Sequence, residues 1–374
     1  MRLLSGLRRR GRWRPADILF FVHDDKRWDT IALIIKALKL RHPALRLRIV
    51  AAAQAPLPSS DLDFCGVEIL ISHSLHELPL FEAAVMYTPI VGHLSMFRPR
   101  NGRIVHAAWS MASLDGVYEA NAFDGYDYVL CAGPHHMQSF AEWGRERRTY
   151  SGKRLIPAGY PKLDLMLQSV ADQRPAAEPR ARLTVIYAPT HCYGPNVGLA
   201  SLREYGEAII NALLEAGHRV IFRPHPTSFI DGDQTLIDGI CRLHQDNEAF
   251  VLDDKIDYSS SYAAADIMIT DVSGSGFTFS FTYCRPCIFF FPNVEAERGL
   301  RGIQYEARHR IGGVVRDIPQ LVQSVANFAR QDIAAQITAY RDETIFRVGT
   351  SADYIADSLA SICAGKDRDE WVRL

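Results

Sequence analysis

The sequence contains no long hydrophobic segment. No run reaches the roughly 18 apolar residues that are needed to cross a bilayer, and the first apolar stretch, residues 18–22, ends at His23. A secretory signal would need a longer apolar stretch and a small-residue cleavage site. We therefore expect an unprocessed cytoplasmic protein.

Charge of one sign is not in excess either. The 374 residues include 42 Lys and Arg and 43 Asp and Glu, for a net charge of −1, so we expect no nucleic-acid partner. The exception is a basic tail, residues 1–14, with six arginines. Together with Trp13 it predicts contact with an anionic membrane surface, which would place the protein on the inner face of the plasma membrane. A frayed basic terminus is the alternative.

The seven cysteines are scattered, which is typical of reduced thiols and not of a disulfide framework. Cys284 and Cys287 have CxxC spacing, but no second Cys/His pair at zinc spacing accompanies them. No Asp-x-Asp segment is a clear metal site, and we place the one at Asp231 and Asp233 in a loop between a strand and a helix. The sequence therefore predicts no metal site, no obligatory metal and no cofactor.

The length is sufficient for two cores, and strand-like and helix-like segments alternate in both halves of the chain. This alternation predicts an α/β protein with two Rossmann-like domains, whose parallel sheets face a central cleft. The domains are a tail at 1–14, an N-terminal acceptor domain at 15–170, a Pro- and Ala-rich linker at 171–182, a C-terminal nucleotide-donor domain at 183–345 and a helix at 346–374 that returns to the first domain.

Ligands of open α/β sheets bind where the strands end. In the second half one strand ends at Thr190 and His191, and the next ends at Arg223 and His225, between two prolines. Proline restricts the backbone, so this loop is suited to holding one imidazole against a phosphate. A structural histidine in a proline turn is the alternative.

The strand at 267–270 leads into Asp271-Val-Ser-Gly-Ser-Gly276 and then into a helix that begins near Ser275. Such a loop presents backbone N–H groups and hydroxyls at the positive end of a helix dipole, so it predicts a phosphate or diphosphate site. Gly-Lys-Ser/Thr does not follow, which excludes a Walker loop.

Two segments of the first half end in polar residues. His106 follows a strand and is a candidate base for an acceptor hydroxyl, with a satisfied core histidine as the alternative. The segment 158–164, Ala-Gly-Tyr-Pro-Lys-Leu-Asp, ends a strand at a glycine and is predicted to turn at its proline as an inter-domain hinge.

Taken together, these segments resemble the CDP-glycerol glycerophosphotransferases of teichoic-acid synthesis, which have the GT-B fold. The matching residues, over about 100–310, are Tyr187-Ala-Pro-Thr190, Arg223-Pro-His-Pro226, residues 265–271 with Ser273 and Phe277-Thr-Phe279, and Gly159-Tyr-Pro-Lys-Leu-Asp164. The resemblance implies that His225 lies at the donor phosphate and that Thr190 faces the same cleft. It also implies donor binding by Arg223, by Thr278 and by the 271–276 loop, with Asp271, Ser273, Gly274, Ser275 and Gly276. His106 takes the place of the family's Trp-His-Gly-Thr histidine.

The chain departs from the family pattern at several of these positions. Only the histidine of Trp-His-Gly-Thr remains, as His106, and Val272, Gly274 and Thr278 replace more polar family residues. These losses leave the donor open between CDP-glycerol, CDP-ribitol and a nucleotide sugar.

The resemblance predicts a transferase. In the leading hypothesis an acceptor hydroxyl, deprotonated by His106, attacks the β-phosphorus of a CDP-linked donor and CMP leaves, while His225 and the 271–276 loop stabilise the phosphate charge. The roles of His106 and His225 could be exchanged. The acceptor would be a cell-envelope polymer or a lipid-linked precursor. The alternatives are a GT-B glycosyltransferase of surface polysaccharide synthesis and a catalytically degenerate scaffold protein.

Overall fold

The computed structural model describes residues 2–3, 15–23, 28–56, 58, 60, 62–90, 92, 97–107, 110–116, 118–171, 182–230, 232–255 and 257–374. The chain divides into two compact units. The first comprises residues 1–165 and 344–374, and the second comprises residues 166–343. Apart from Arg2 and Leu3, the basic tail lies outside the described residues, as do 172–181 of the predicted linker.

The first unit is built on a nine-stranded sheet. Its strands are β1 (Arg2–Leu3), β2 (Ala16–Val22), β3 (Leu47–Ala52), β4 (Ile69–Ser72), β5 (Ala83–Thr88), β6 (Arg103–His106), β7 (Tyr128–Cys131), β8 (Arg154–Pro157) and β15 (Val372–Arg373). Their order is β1-β4-β3-β2-β5-β6-β7-β8-β15, and every pairing is parallel except that of β15 with β8.

Four helices cover this sheet or continue from it: α1 (Trp28–Arg41), α2 (Pro134–Glu146), α3 (Pro161–Ala171) and α12 (Ser351–Cys363). Helix α12 packs against α1, and the bidentate ion pair of Arg41 with Asp357 joins them. The turn predicted at Pro161 is wrong, because this proline is the first residue of α3, a position where its missing N–H costs nothing.

The second unit is built on a six-stranded parallel sheet. Its strands are β9 (Thr184–Tyr187), β10 (Arg219–Phe222), β11 (Phe250–Leu252), β12 (Ile267–Thr270), β13 (Cys287–Phe290) and β14 (Gly312–Val315). The order β11-β10-β9-β12-β13-β14 reverses direction between β9 and β12. Ligands of open parallel sheets bind at such a reversal.

The helices of the second unit are α4 (Leu202–Glu215), α5 (Gln234–Leu243), α6 (Ser259–Ala264), α7 (Ser275–Tyr283), α8 (Val294–Glu297), α9 (Ile303–Glu306), α10 (Ile318–Phe328) and α11 (Ala334–Thr344). Helix α7 is unusual because it is apolar nearly all round and Phe277, Phe279 and Phe281 are all buried. A helix without a polar stripe is one that the fold encloses. The predicted α/β architecture with two Rossmann-like parallel sheets is confirmed.

Candidate functional site

Three neighbouring strands of the second sheet end at the same level. The register places Tyr187 of β9 opposite Phe222 of β10 and opposite Ile269 of β12. The three loops that follow therefore start side by side at the sheet reversal. They carry the second-unit residues that the sequence singled out.

Asp271 joins two of these loops from the inside. Its carboxylate is fully buried and accepts hydrogen bonds from the backbone N–H groups of Thr190 (3.0 Å), Ser201 (2.8 Å) and Val272 (2.7 Å) and from the Ser201 hydroxyl (2.9 Å). Burial raises the pKa of this carboxyl, and these bonds oppose the rise. The oxygens of Asp271 thus already hold the loops together, and its predicted role in donor binding stays a prediction.

The loop after β12 ends in the first turn of α7. The half-buried Ser273 hydroxyl accepts from the backbone N–H of Ser275 (3.2 Å) and lies 2.8 Å from the Ser275 hydroxyl. The N–H of Thr278 donates to the Gly274 carbonyl, so the N–H groups of Gly276 and Phe277 come before the helical ladder. Gly274 is exposed. This turn has the N–H groups and hydroxyls that an anion site needs.

Gly276 has a packing reason to be glycine. A Cβ at this position would lie 2.7 Å from the Cys287 Sγ and 2.9 Å from the Phe289 Cζ, so α7 approaches β13 more closely than a side chain permits. At Gly274 a Cβ would meet open space. The side chain of Thr278 lies one turn further along α7 and is half-buried. Of the predicted donor-binding residues, Ser273, Gly274 and Ser275 thus lie at the accessible end of the loop.

His225 is held by the loop that follows β10. Its Nδ1 accepts the backbone N–H of Thr227 (3.1 Å) and so caps the 3-10 turn Pro226–Phe229. A neutral imidazole whose Nδ1 accepts carries its proton on Nε2. The ring is therefore a hydrogen-bond donor at Nε2, which suits a phosphate oxygen.

His191 was considered in the sequence only as part of the loop after β9, and the structure brings it against His225. The two ring centroids are 4.9 Å apart, and the His191 Nε2 lies 3.1 Å from the Asn196 Nδ2. Its Nδ1 is buried and has no hydrogen-bond partner within the described residues. The pairing of β9 with β10 could have indicated this contact, because it places the two histidines that follow these strands next to each other.

Arg223 is bound by groups of the protein itself. The guanidinium is buried, pairs with Asp253 at 2.5 Å and donates to the Lys255 carbonyl at 2.8 Å. It therefore ties the loop after β10 to the loop after β11. These bonds give Arg223 a structural role, and its predicted donor contact stays a prediction. Thr190 is also buried, and its backbone N–H is bound to Asp271.

His106 ends β6 in the first unit, as the sequence predicted. Its side chain is only 2% exposed, and its ring lies edge-on to Phe123 and Tyr126 at centroid distances of 4.9 and 5.0 Å. An aromatic environment of this kind is also what a structural histidine would have. Ala108 and Trp109, which follow shortly after His106 in the sequence, lie outside the described residues.

The segment 159–164 holds the returning C-terminal chain. Buried Asp164 accepts the backbone N–H groups of Gly349 (2.7 Å) and Ser351 (2.8 Å), together with the Ser351 hydroxyl. It thereby caps α12, whose own N-cap residue, Thr350, makes no side-chain cap bond. Gly159, at φ +85°, lies so close to Phe346 that a Cβ would be 2.2 Å from its carbonyl oxygen.

Among the described residues no group of three or more His, Cys, Asp or Glu side chains is arranged to hold a metal ion. Cys284 ends α7 and Cys287 is buried in β13. No helix in the described part of the chain has both the length and the hydrophobicity of a membrane span.

The family profile described as CDP-glycerol:poly(glycerophosphate) glycerophosphotransferase matches residues 113–359, about two thirds of the sequence. The chain belongs to this family. The sequence-based prediction of a glycerophosphotransferase of cell-envelope polymer synthesis is therefore confirmed. No match was found among curated protein sequences.

Solved structures agree on the fold. The wall teichoic acid polymerase TagF is 17% identical, with a TM-score of 0.63 over 93% of this chain and 89% of its own. The UDP-GlcNAc 2-epimerase of Methanocaldococcus jannaschii is 14% identical, with a TM-score of 0.61 over 92% and 99%. A putative UDP-N-acetylglucosamine 2-epimerase from Listeria monocytogenes is 12% identical, with a TM-score of 0.61 over 95% and 99%. These likenesses confirm the GT-B fold.

Proposed function

We propose that this glycerophosphotransferase binds the diphosphate of CDP-glycerol at the end of β12, with Ser273, Gly274, Ser275 and the first N–H groups of α7 around it. The observation that carries this proposal is the position of that turn. It lies at the sheet reversal, beside the loops of Thr190 and His225, and it joins hydroxyls to a helix N-terminus. A diphosphate is the part of the donor that such a site can hold.

The reaction is a direct displacement at phosphorus. An acceptor hydroxyl oxygen bonds to the β-phosphorus, the bond from that phosphorus to the bridging oxygen breaks, and CMP leaves with that oxygen. The hydroxyl proton passes to a base. Positioning and electrostatic stabilisation of the phosphate oxygens then supply the catalysis.

The tautomer of His225 separates the two histidine roles. A ring with its proton on Nε2 can donate to a phosphate oxygen, but it has no lone pair there to accept the proton of a hydroxyl. We therefore assign charge stabilisation to His225 and retain His106 as the candidate base. His191 would support the ring of His225 from the side.

Calorimetric titration with CMP, CDP, UDP, GDP and CDP-glycerol tests the donor site. We expect cytidine nucleotides to bind best, and Ser273→Ala to weaken CDP more than it weakens cytidine. A preference for UDP or GDP would indicate a nucleotide-sugar donor. The reaction would then form a glycosidic bond in place of a phosphodiester. Binding of none of these nucleotides would favour a scaffold protein.

We also propose that the acceptor is lipid-linked and that the basic tail, residues 1–14, holds the enzyme at an anionic membrane surface. Six arginines in this short segment support the proposal, with roughly 1 kcal/mol for each basic residue near the surface. Flotation with liposomes that contain anionic lipid compares the full chain with one that starts at residue 15. Equal flotation of both would remove the membrane role.

A further inference from the structure

Arg308 is the largest nearly inaccessible side chain of the protein's described part, with 1% exposure. Its guanidinium lies against the rings of Phe289, Phe291 and Tyr305, 5.0 to 5.1 Å from their centroids. The Nε donates to the Gln304 carbonyl at 2.9 Å. An arginine in such an aromatic enclosure keeps its charge away from water, where its field is screened least.

The charge of Arg308 is only partly compensated by its neighbours. Glu297 accepts from Arg308 at 3.3 Å and, more closely, from Arg316 at 2.5 Å. Two guanidinium groups thus share one carboxylate, and this cluster keeps one net positive charge. Burial lowers the pKa of Arg308, while Glu297 chiefly and Asp271 more weakly oppose the fall. An arginine remains protonated under such conditions.

Phe289 connects this charge with the donor site. Arg308 lies over the face of the ring, and the Cζ at the edge of the ring is 2.9 Å from where a Gly276 Cβ would be. The buried cation is therefore separated from the first turn of α7 by a single aromatic ring. The negative charge of Asp271 lies under the same turn, at the end of the neighbouring strand.

We propose that Arg308 is an electrostatic positioning residue for the donor diphosphate, acting through the Phe289 ring on the first turn of α7. This proposal rests on the proposed donor site and adds a positioning residue to it. A diphosphate above a buried carboxylate would be repelled, and the net positive charge of the Arg308 cluster offsets that repulsion without touching the ligand. Because the intervening medium is a hydrocarbon ring and not water, the effect persists at physiological salt.

The test compares the affinities for CDP and for cytidine, because only CDP carries the phosphates. We expect Arg308→Met to lower the CDP-to-cytidine affinity ratio on the order of tenfold, and Arg308→Lys, which keeps the charge, to change it little. Glu297→Gln removes the shared carboxylate, so it should raise the ratio even if it lowers the melting temperature. A merely structural role of this cluster would not produce a gain in the ratio.

A ratio that stays at the wild-type value in Arg308→Met and does not rise in Glu297→Gln would overturn the proposal. If Arg308→Met does not fold, the sign of the change in Glu297→Gln decides alone. Ser273→Ala distinguishes a wrong role for Arg308 from a wrong donor site. When Ser273→Ala lowers the ratio and the cluster variants do not, the site stands and the role of Arg308 is wrong. When wild-type protein binds CDP no better than cytidine, the site itself is wrong.

Discussion

The Asp271 carboxylate lies 3.0 Å from the backbone nitrogen of Thr190 and accepts its hydrogen bond, which fastens the loop after β9 to the end of β12. Both loops belong to the proposed donor site. The bond therefore holds the two loops together at the point where the strand order reverses.

Asp271→Ala should destabilise the second unit, because it leaves buried N–H donors without an acceptor. We expect a loss of about 3–5 kcal/mol in the free energy of unfolding, measured by urea denaturation. Asp271→Asn keeps one acceptor oxygen and should lose less. An unchanged unfolding midpoint combined with lost CDP binding would instead assign this carboxylate to the ligand.

His225→Asn isolates the distal nitrogen of the imidazole. The Asn Oδ1 can still accept the Thr227 N–H, so stability should stay close to wild type, whereas His225→Ala also loses the cap, at about 1 kcal/mol. Both variants should lower turnover on CDP-glycerol by about 10²–10³-fold, since both lack the Nε2 donor. Full turnover in His225→Asn would show that the ring serves only as a cap.

Two glycines of the 271–276 loop should differ when each is changed to alanine. Gly276→Ala forces a methyl group against the Cys287 Sγ and Phe289 and should cost about 1–3 kcal/mol, as overpacking does. Gly274→Ala meets open space and should melt close to the wild-type temperature. Thermal melts of the two variants beside wild type make the comparison. Equal losses at both positions would mean that the packing of α7 on β13 is looser than described.

His136 makes the first unit sensitive to acid. Its ring is buried between the Ala132 N–H and the Ala112 carbonyl, and burial lowers its pKa to about 4 from 6.5. Between pH 6.5 and 4 this histidine binds a proton in the unfolded chain but not in the folded chain. Stability is therefore intact above about pH 6.5 and falls as the pH drops towards 4. The difference of about 2.5 pH units corresponds to about 3 kcal/mol.

Melting temperature as a function of pH tests this. His136→Gln should reduce the pH dependence of stability between pH 6.5 and 4 by an amount that corresponds to about one bound proton. His73→Gln, at an exposed position, is the matched control and should leave the slope as in wild type. A slope that is the same in all three proteins would refute the role of His136.

The sequence predicted the second unit better than the first. Strand β12 and the start of α7 lie where we expected them, because an apolar run followed by a glycine-serine turn is a strong local pattern. Strand β5 was missed, although it pairs with both β2 and β6. Its sequence, Ala-Ala-Val-Met-Tyr-Thr, begins with two alanines, which are depleted in strands, before its strand-forming Val, Tyr and Thr. Pairing on both sides makes the whole segment a strand.

The site was predictable in position and less so in detail. Strand ends marked Thr190, His225 and Ser273 correctly as neighbours, since all follow adjacent strands. Burial could not be derived from the sequence, so Arg223 and Asp271 looked like ligand contacts although internal partners occupy them. The partner of each, Asp253 and the Thr190 N–H respectively, is 30 or more residues away in the chain. Only the folded structure brings such pairs together.

The return of residues 344–374 to the first sheet has a consequence for biosynthesis. Strand β15 and helix α12 complete the first unit, yet the ribosome makes them only after the entire second unit. On the nascent first unit, the surface that α12 covers and the edge of β8 therefore stay uncovered until residues 344–374 have been synthesised. The first unit, which contains the start of the chain, can therefore be completed only after the second unit has been synthesised.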